Sequence, residues 1–388
     1  EISLGLVGSE MCIRDSPKGR QLRNVLIGIQ FVASFGLIIG ATFMYLQNYY
    51  MQNTPLGYDK DEVIITNMNN NIRKSRDAFA SQVKSFSGIE EVTYAEMLLS
   101  SHDQYMGWGR KYRDKDIQFQ CLPVEPSFLK VMNVKISEGR DFREEDKAKR
   151  YGTFVFNERA RTEYGLEIGS LIDSMEIVGF MPDVKFASFR TEVTPMAFFV
   201  WGTNNWGNQP NYAYIKVKAG SDLRGAMQHV KTTLQSFDPE YPFNVRFFDE
   251  VLNGLYEKER SLSSLITLFS LIAIFISVVG VFGLVVFDSE YRKKEIGIRK
   301  VLGSTTEEII VMFNKTYIRI LCVCFVLGAP IAGYVVHRWL ENFAYKTPMY
   351  WWVYLIAFAI IAVITILTVT FQNWRAANEN PVHSIKNE

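Results

Sequence analysis

The sequence predicts an α-helical membrane protein that has four transmembrane helices and a large α+β domain inserted between the first two of them. Three observations support this fold class. Four apolar stretches are long enough to span a membrane, which takes about 20 residues for roughly 30 Å of hydrocarbon. One long stretch of mixed charge is large enough to bury its own core. The net charge of only +1 over 388 residues is therefore an average of two unlike parts.

Four apolar stretches are predicted to cross the membrane. Three of them contain no Asp, Glu, Lys or Arg: 25–45, 265–287 and 351–371. The fourth, 318–339, has Arg319 close enough to one end to reach the interface and Pro330 inside, where we expect a kink. A single apolar stretch could be a buried core helix, but four stretches with so little charge favour membrane insertion.

The orientation follows from the basic residues, because short loops rich in Lys and Arg stay in the cytoplasm. Basic residues concentrate in 17–24, before the first span, and in 288–316, between the second and third. We therefore expect a protein of the bacterial inner (plasma) membrane with both termini in the cytoplasm, including the tail 372–388. The domain 47–262 is then extracytoplasmic, and 340–350 is a short outer loop.

The first sixteen residues differ from the rest of the chain. Residues 1–16 carry Glu10 and Asp15, and no basic residue precedes their short apolar part, so they make a poor signal peptide. They resemble the translation of a sequencing-adaptor remnant. We therefore treat them as an artefact, and we expect natural sequence upstream to be missing.

The large domain shows alternating strand and helix patterns, which predict an α+β domain of two lobes. Strands are predicted at 63–68, 117–125, 174–183, 196–201, 212–218 and 244–249, and 89–98 is predicted as a strand that runs into a loop. Helices are predicted at 75–86, 127–134 and 221–237, and 153–166 is predicted as a strand followed by a helix. Six aromatic residues are predicted to pack in the core, with a binding surface as the alternative: Phe198, Phe199, Trp201, Trp206, Tyr212 and Tyr214.

No motif in the sequence indicates catalysis. The 4 histidines are scattered, so no metal site is expected. The chain has no G-x-S-x-G motif and no Gly-Lys dipeptide, which excludes a nucleophile elbow and a P-loop. We therefore expect no catalytic, cofactor-binding or metal-binding residues in this chain, and no nucleic-acid partner.

The basic segment 288–316 predicts a short amphipathic helix that ends at Gly303, followed by a helix whose capping box is Ser304 with Glu307. Such a helix has two interpretations. It can hold anionic lipid headgroups, or it can dock into a groove of a cytoplasmic partner. The residue pattern alone leaves both open. Lipid binding does not explain Gly297 and Gly303, which permit a close approach of another backbone.

The segment EIGIRKVLGS (295–304) resembles the signature loop of the FtsX/MacB superfamily of ABC transporter permeases. Residues 22–64 resemble the opening of the second half of long, duplicated MacB-like permeases, and 373–388 resemble the usual cytoplasmic end. Three stretches resemble parts of the MacB-like periplasmic core domain: EGRDF (138–142), FNERA (156–160) and IVGFMPDVKFASFR (177–190). The resemblance therefore covers about 17–388.

The resemblance implies a coupling helix at 290–302 that binds a separate ABC-type ATPase subunit or domain, where ATP and Mg would bind. The carried-over positions are Glu295, Ile296, Gly297, Arg299, Lys300, Leu302 and Gly303. The family also implies a second permease half, either another copy or a missing fused N-terminal half. Two small-residue pairs are predicted at close helix contacts: Gly36 with Gly40, and Gly328 with Ala332. Membrane lipids and a periplasmic adaptor are the other expected partners.

The resemblance thus predicts a permease subunit that couples ATP hydrolysis by its partner to movement of the extracytoplasmic domain. The expected result is export of an amphiphilic substrate such as an antibiotic or a peptide. A lipoprotein-release permease is the alternative within the family. Two alternatives come from other classes. A membrane-anchored ligand sensor would usually end in a cytoplasmic output domain, whereas the tail 372–388 is short. A secondary transporter would need polar or broken helices near the bilayer midplane, and only Pro330 indicates such a break.

Overall fold

The computed structural model describes residues 17–100, 106–185, 188–204, 210–291, 299 and 302–377. The chain forms two compact units. One contains the long apolar helices. The other, called the domain below, comprises Asn53–Lys258 together with Phe343–Tyr345 from the segment between the last two long helices.

The helices and strands are numbered in chain order. The helices are α1 (Pro17–Asn53), α2 (Asn70–Lys74), α3 (Arg76–Lys84), α4 (Phe128–Val131), α5 (Glu158–Tyr164), α6 (Leu223–Phe237), α7 (Phe248–Leu255), α8 (Glu257–Tyr291), α9 (Thr306–Leu340) and α10 (Trp351–Ala377). The strands are β1 (Val63–Asn67), β2 (Ile89–Ala95), β3 (Met106–Tyr112), β4 (Lys115–Pro123), β5 (Glu138–Gly139), β6 (Thr153–Asn157), β7 (Leu171–Ile172), β8 (Met175–Met181), β9 (Met196–Val200), β10 (Tyr212–Val217) and β11 (Arg246–Phe247).

Within the described ranges, 4 helices are long and apolar enough to cross a membrane, namely α1, α8, α9 and α10. The predicted four-span fold class is confirmed. The helices are longer than the predicted spans: α1 has 37 residues, and α8 and α9 have 35 each. At 1.5 Å per residue, α1 is about 55 Å long, which exceeds the roughly 30 Å of hydrocarbon. Pro330 lies inside α9, and the helix continues through it.

The helical unit is held together by aromatic packing. Phe35 of α1 is fully buried, and its ring lies 5.2 Å from Phe325 of α9. The Phe325 ring lies 5.0 Å from Phe358 of α10, so one aromatic cluster joins three helices. Outward-facing side chains are also apolar, as shown by Phe275 of α8, which is 69% exposed. Such a surface is suited to lipid, which solvates apolar side chains.

The first sheet of the domain has the strand order β11-β1-β10-β2, and every pairing in it is antiparallel. Its two faces follow the side-chain alternation of a strand. Ile64 of β1 points to the face that packs against Phe79 of α3 and Val230 of α6. Val63 and Ile65 point to the opposite face, which belongs to the central core of the domain.

The second sheet has the order β3-β4-β9-β6-β8-β5, with β7 paired to β8. The pairs β4–β9 and β6–β8 are parallel, and the others are antiparallel. Val155 and Phe198 of this sheet share the central core with Val63 and Tyr214 of the first sheet. The two sheets correspond to the two predicted lobes, but because they share a core they form one compact unit.

Most predicted elements of the domain are confirmed, with two informative differences. The prediction of a strand over 244–249 was mostly wrong, because β11 is short and α7 begins at Phe248. The apolar spacing of Phe248, Val251 and Leu252 is helical, and two adjacent phenylalanines concealed it. Strand β3 was missed because glycines interrupt its apolar alternation.

The predicted core position of the aromatic residues between 198 and 214 is confirmed for Phe198, Phe199 and Tyr214, which are fully buried. Trp201 is half-buried and packs on Phe199, with ring centroids 4.9 Å apart. Trp206 lies outside the described residues.

Candidate functional site

The predicted coupling segment is described in part. Glu295, Ile296, Gly297 and Lys300 lie outside the described residues, whereas Arg299, Leu302 and Gly303 are described. The Ser304 N–H donates to the Arg299 carbonyl at 2.9 Å, and Gly303 has φ +96°. This geometry is a Schellman turn, in which glycine takes the left-handed position after the end of a helix. The predicted C′ role of Gly303 is therefore confirmed.

Leu302 is the most exposed large apolar residue described in the chain, with 80% of its surface accessible. It directly precedes the Gly303 turn, so the turn presents an apolar side chain at its tip. A side chain in this position can insert into a groove of a partner or into the apolar layer beneath lipid headgroups.

The capping box that starts α9 lies one residue later than predicted. The prediction named Ser304 and Glu307, and it was wrong. The Thr305 hydroxyl accepts from the Glu308 N–H at 3.2 Å, and the Glu308 carboxylate accepts from the Thr305 N–H at 3.1 Å. Thr305 has the extended backbone of an N-cap, which makes Glu308 the third helical residue. The run Ser-Thr-Thr-Glu-Glu fits either register, and the Gly303 turn decides between them.

The two predicted small-residue pairs lie in different surroundings. A Cβ at Gly328 would lie 3.4 Å from the Cα of Val32, so Gly328 packs against α1 of the same chain. Ala332, one turn later, is 5% exposed and belongs to the same helical core. A Cβ at Gly36 or Gly40 would meet none of the described atoms within 4 Å. Gly328 and Ala332 thus pack inside the helical unit. Contact with a second permease half stays a prediction for Gly36 and Gly40.

The helical unit contains one buried hydrogen bond between side chains of α1 and α8. The hydroxyl groups of Ser34 and Ser277 lie 2.8 Å apart. Both serines line a small cavity that also receives Thr365 and Thr368 of α10. The Thr368 hydroxyl donates to the Ile364 carbonyl of its own helix at 2.8 Å, which satisfies it locally. These hydroxyls tie helices together, and the cavity they line contains no charged residue.

The EGRDF stretch has a structural basis in two glycines. Gly139 of β5 pairs with Gly179 of β8. A Cβ at Gly179 would lie 2.5 Å from the Arg140 carbonyl oxygen, closer than real Cβ atoms approach a backbone. Glycine is therefore required for the two strands to come this close.

Asp146 organises the turn after this stretch. Its carboxylate is 1% exposed and accepts from both terminal nitrogens of Arg140, each at 2.8 Å. It also accepts from the Arg143 N–H at 2.8 Å and lies 3.3 Å from the Lys149 ammonium. Burial alone would raise the pKa of Asp146, but the Arg140 hydrogen bonds, the Arg143 N–H and Lys149 together hold it below its usual value.

The FNERA stretch depends on Asn157, whose side chain is fully buried. Both of its polar atoms form hydrogen bonds. Its Oδ1 accepts from the Ala160 N–H at 3.1 Å, which caps α5, and from the Met196 N–H at 3.0 Å. Its Nδ2 donates to the Thr194 carbonyl at 3.0 Å. One side chain thus joins β6, α5 and the start of β9, which explains the residue type physically.

One group of residues was missed by the sequence analysis. Phe343–Tyr345 come from the predicted outer loop 340–350, yet they are part of the domain. Phe343 is only 2% exposed. Phe343 and Tyr345 are two aromatic residues in a short loop that also contains charged residues. Their presence was a signal that this loop packs against another part of the protein. Among the described residues, no group of His, Cys, Asp and Glu could hold a metal ion.

Comparison with known families supports this architecture over 25–233 and 267–381. A model of the MacB-like periplasmic core domain matches residues 25–233, more than half of the 388 residues. A model of the FtsX-like permease C-terminal region matches residues 267–381. The first match contains most of α1 and of the domain, and the second contains α9, α10 and most of α8.

Curated relatives include the macrolide export ATP-binding/permease protein MacB of Chromobacterium violaceum, 23% identical over 230 residues, which are 56% of this chain and 35% of that protein. MacB of Escherichia coli K12 is 23% identical over 233 residues, again 56% of this chain and 35% of the relative. The chain therefore spans about a third of the length of the curated relatives it matches.

Solved structures that match part of the chain include the periplasmic region of MacB from Actinobacillus actinomycetemcomitans. It is 14% identical, with a TM-score of 0.37, and the match covers 51% of this chain and 94% of that one. The extracellular domain of the ABC-type transporter YknZ from Gram-positive bacteria is 11% identical, with a TM-score of 0.35, and the match covers 47% of this chain and 99% of that one.

Four apolar helices with an α+β domain between the first and second define an α-helical membrane protein with one large inserted domain. The chain belongs to the MacB/FtsX-type permeases of ABC transporters. The apolar helices and the MacB-like domain make it an inner-membrane protein.

Proposed function

We propose that this chain is the non-catalytic membrane subunit of an ABC exporter, with an ATPase partner that binds ATP and Mg and docks on the predicted coupling helix 290–302. ATP binding and hydrolysis move this segment, and α8 and α9, which flank it, carry the movement toward the domain. The domain then expels an amphiphilic substrate, such as an antibiotic or a peptide, outside the inner membrane.

The observation that carries this proposal is the combination of two family regions in one chain, a MacB-like core domain and an FtsX-like permease end. The curated relatives are named as ATP-binding/permease proteins for macrolide export. The sequence of this chain has no P-loop, so nucleotide must be bound elsewhere. We therefore propose that the nucleotide is bound by an ATPase subunit or domain outside residues 1–388.

The helical unit also supports a role in transmission. Polar or ionic substrates that cross a membrane need polar side chains along their path. The described core of the helices consists mainly of aromatic and aliphatic side chains. Among its buried polar side chains, Ser34, Ser277 and Thr365 are uncharged. We infer that the substrate bypasses these helices and that their outward-facing surfaces contact lipid and a second permease half. The basic segments 17–24 and 288–316 support cytoplasmic termini.

Co-purification tests the ATPase partner directly. The full chain, tagged at its C-terminus, is extracted from native membranes in mild detergent, and the proteins that accompany it are identified. We expect an ABC-type ATPase with the parent. Glu295→Lys, Gly297→Pro and Leu302→Asp change the charge, backbone and apolar tip of the proposed docking surface, and each should reduce the recovered ATPase at least several-fold.

The matched control is Glu307→Lys, which reverses an exposed charge on α9 beyond the turn and outside the capping box. It should retain the ATPase. If no ATPase accompanies the parent, or if the three docking variants retain as much as the control, the proposed docking function is wrong.

A further inference from the structure

The loop that connects β8 to β9 (182–195, described except for 186–187) receives chain segments that lead into the long helices. The first segment follows α1. The Lys185 N–H donates to the Leu56 carbonyl at 2.8 Å, and the Tyr58 hydroxyl donates to the Lys185 carbonyl at 3.3 Å. Leu56 comes three residues after Asn53, where α1 ends. The exit from the first span is therefore hydrogen-bonded to this loop.

The second segment precedes α8. Tyr256 is the last residue before that helix, and its hydroxyl oxygen accepts from the Phe189 N–H at 3.1 Å. The two rings also pack edge to face, with centroids 6.1 Å apart at 67°. The entrance to the second span thus contacts the same loop through Phe189, which is 1% exposed.

The third segment lies between α9 and α10. The Tyr345 N–H donates to the Phe189 carbonyl at 3.1 Å, and the Tyr345 hydroxyl accepts from the Val193 N–H at 3.3 Å. The rings of Tyr345 and Phe189 lie 5.9 Å apart at 77°. Phe343 packs under the Arg190 guanidinium at 4.9 Å. One short segment, attached to the third and fourth spans, thus contacts the loop through both of its aromatic residues.

Lys185 strengthens this arrangement. Its ammonium lies 4.9 Å from the centroid of Phe189 and 4.7 Å from that of Tyr345. Within the described part of the chain, no carboxylate forms an ion pair with Lys185. Burial lowers its pKa. The cation is therefore held by the faces of two rings, and it joins the loop to the segment between α9 and α10.

Both ends of the loop are fixed to the second sheet. At the start, the Asp183 carboxylate accepts from the Arg159 N–H at 2.8 Å, at the beginning of α5. At the end, Asn157 binds Thr194 and Met196 as described above. A loop anchored at both ends transmits a displacement to the sheet instead of absorbing it, because packed interiors are stiff.

We propose that Phe189 and Tyr345 are positioning residues that couple the segment between α9 and α10 to the domain, forming a clip through which helix movement reaches the second sheet. Phe189 has a second role, because it also binds the Tyr256 hydroxyl next to α8. Within the domain, the β8–β9 loop is thus contacted by each of the three chain segments that continue into the long helices. This transmitting role rests on the proposed function. The fastening, meaning the contacts that hold 343–345 to the β8–β9 loop, does not.

The fastening is tested by hydrogen exchange measured by mass spectrometry on the full chain in lipid nanodiscs. The variants are Phe189→Leu, which removes the ring, and Tyr345→Ala. Phe189→Tyr keeps the ring and is the conservative rescue. Met349→Ala is the control, because it truncates an exposed side chain in the same outer loop. We expect Tyr345→Ala to speed exchange in peptides from 188–195 by about tenfold, the effect of losing roughly 1.4 kcal/mol of local stability.

Phe189→Leu should in turn speed exchange of 343–347 by a similar factor, whereas Phe189→Tyr and the control should leave both regions as in the parent. Reciprocal loss of protection is the signature of one clip. If Tyr345→Ala leaves 188–195 as protected as in the parent, the fastening does not exist and the proposal is overturned.

The transmitting role is tested in the complex with its ATPase, with and without a non-hydrolysable ATP analogue. In the parent, the analogue should change exchange in β6, β8 and β9. In Phe189→Leu and Tyr345→Ala, this change should fall at least threefold while the ATPase still binds the analogue with unchanged affinity. Phe189→Tyr should restore it. A merely structural residue would alter basal exchange without removing the response to nucleotide.

Two outcomes separate the proposals. If the clip variants keep the full nucleotide response, the clip does not transmit, and the proposed function stands without it. If the parent complex shows no response in the domain, the proposed function fails and the transmitting role fails with it. In that case the experiment without nucleotide still decides whether the clip fastens the loop.

Discussion

At the scale of single residues, the domain depends on buried polar side chains that use every hydrogen-bonding atom. Asn157 has three backbone partners and Asp146 has partners on three different residues. A buried polar group is costly when it is unpaired and holds a unique geometry when it is fully paired. Both side chains occur within or just after stretches that the sequence matched to the family only by resemblance, and the contacts now give a physical reason for these residue types.

Asp146→Asn should destabilise the domain by about 2–3 kcal/mol, because Arg140 loses a charge-assisted partner and the Lys149 attraction disappears. Since the pKa of Asp146 is lowered in the folded domain, its stabilising contribution is complete above the ordinary aspartate pKa of about 3.9. It is lost as the pH falls through the lower folded value. Urea-dependent pulse proteolysis of the full chain at pH 7 and at pH 3 should show a smaller difference from the parent at the acid pH.

The control for this prediction is Asp173→Asn. Asp173 pairs with Arg110 at 3.4 Å, but about half of its side chain is exposed, so solvent screens the pair. It should change the urea midpoint little at either pH. Equal destabilisation by the two substitutions at pH 7 would show that the buried network around Asp146 contributes no more stability than an exposed ion pair.

At the scale of elements, small sets of hydrogen bonds hold the start of α9 and the contact between α1 and α8. The start of α9 is fixed by the reciprocal pair of Thr305 and Glu308. The α1–α8 contact includes the Ser34–Ser277 bond. Each is a local feature whose removal should affect one element more than the whole molecule.

Thr305→Ala should weaken the first turn of α9 by about 1 kcal/mol, because the N–H of Glu308 loses its acceptor. Hydrogen exchange of residues 306–310 in the full chain should rise about fivefold. Ser304→Ala is the matched control, since Ser304 was the cap predicted from the sequence and the structure assigns that role to Thr305. Faster exchange in Ser304→Ala than in Thr305→Ala would instead support Ser304 as the N-cap residue, as the sequence predicted.

Ser34→Ala and Ser277→Ala should each weaken the helical unit by less than about 1.7 kcal/mol, the largest value found for hydrogen bonds between membrane helices. The double substitution should cost less than the sum, because both singles remove the same bond. SDS titration of the detergent-solubilised chain measures these effects. Thr42→Ala is the control, because that hydroxyl binds the Ile38 carbonyl of its own helix at 2.8 Å. Strict additivity of the serine effects would contradict the shared bond.

At the scale of the whole molecule, the chain is a helical unit and a domain, and each has its own core. The helical core joins α1, α9 and α10 through aromatic packing, and Gly328 lets α9 approach Val32 of α1. Gly36 and Gly40 face away from these described contacts. The two small-residue pairs, which look alike in the sequence, therefore contribute differently to the assembled molecule.

Gly328→Leu should lower the resistance of the helical unit to SDS by about 1–3 kcal/mol, because the larger side chain has no room beside Val32. Gly36→Leu should leave this resistance nearly unchanged, since its Cβ direction is open within the described chain. If Gly36→Leu destabilises the isolated chain as much as Gly328→Leu, the assignment of Gly328 to the internal contact is wrong.

The sequence by itself determined the four spans, the α+β domain between the first two, the burial of Phe198, Phe199 and Tyr214, and the turn at Gly303. Each is a local signal, because apolar length, strand alternation and a glycine after a helix depend on neighbours in the chain. The resemblance in 295–304 and in the domain likewise identified the family, which the comparisons confirm.

Only the tertiary structure decided which residues meet across long separations in sequence. It chose Thr305 over Ser304 because the Gly303 turn fixes where α9 begins. It turned Gly328 inward and left Gly36 open, a difference set by which neighbouring helix lies opposite each glycine. It also brought Tyr345 to Phe189, residues more than a hundred positions apart, and no local periodicity encodes such a contact. The closure of long loops depends on the packing of the complete fold, which explains why the sequence analysis missed the clip.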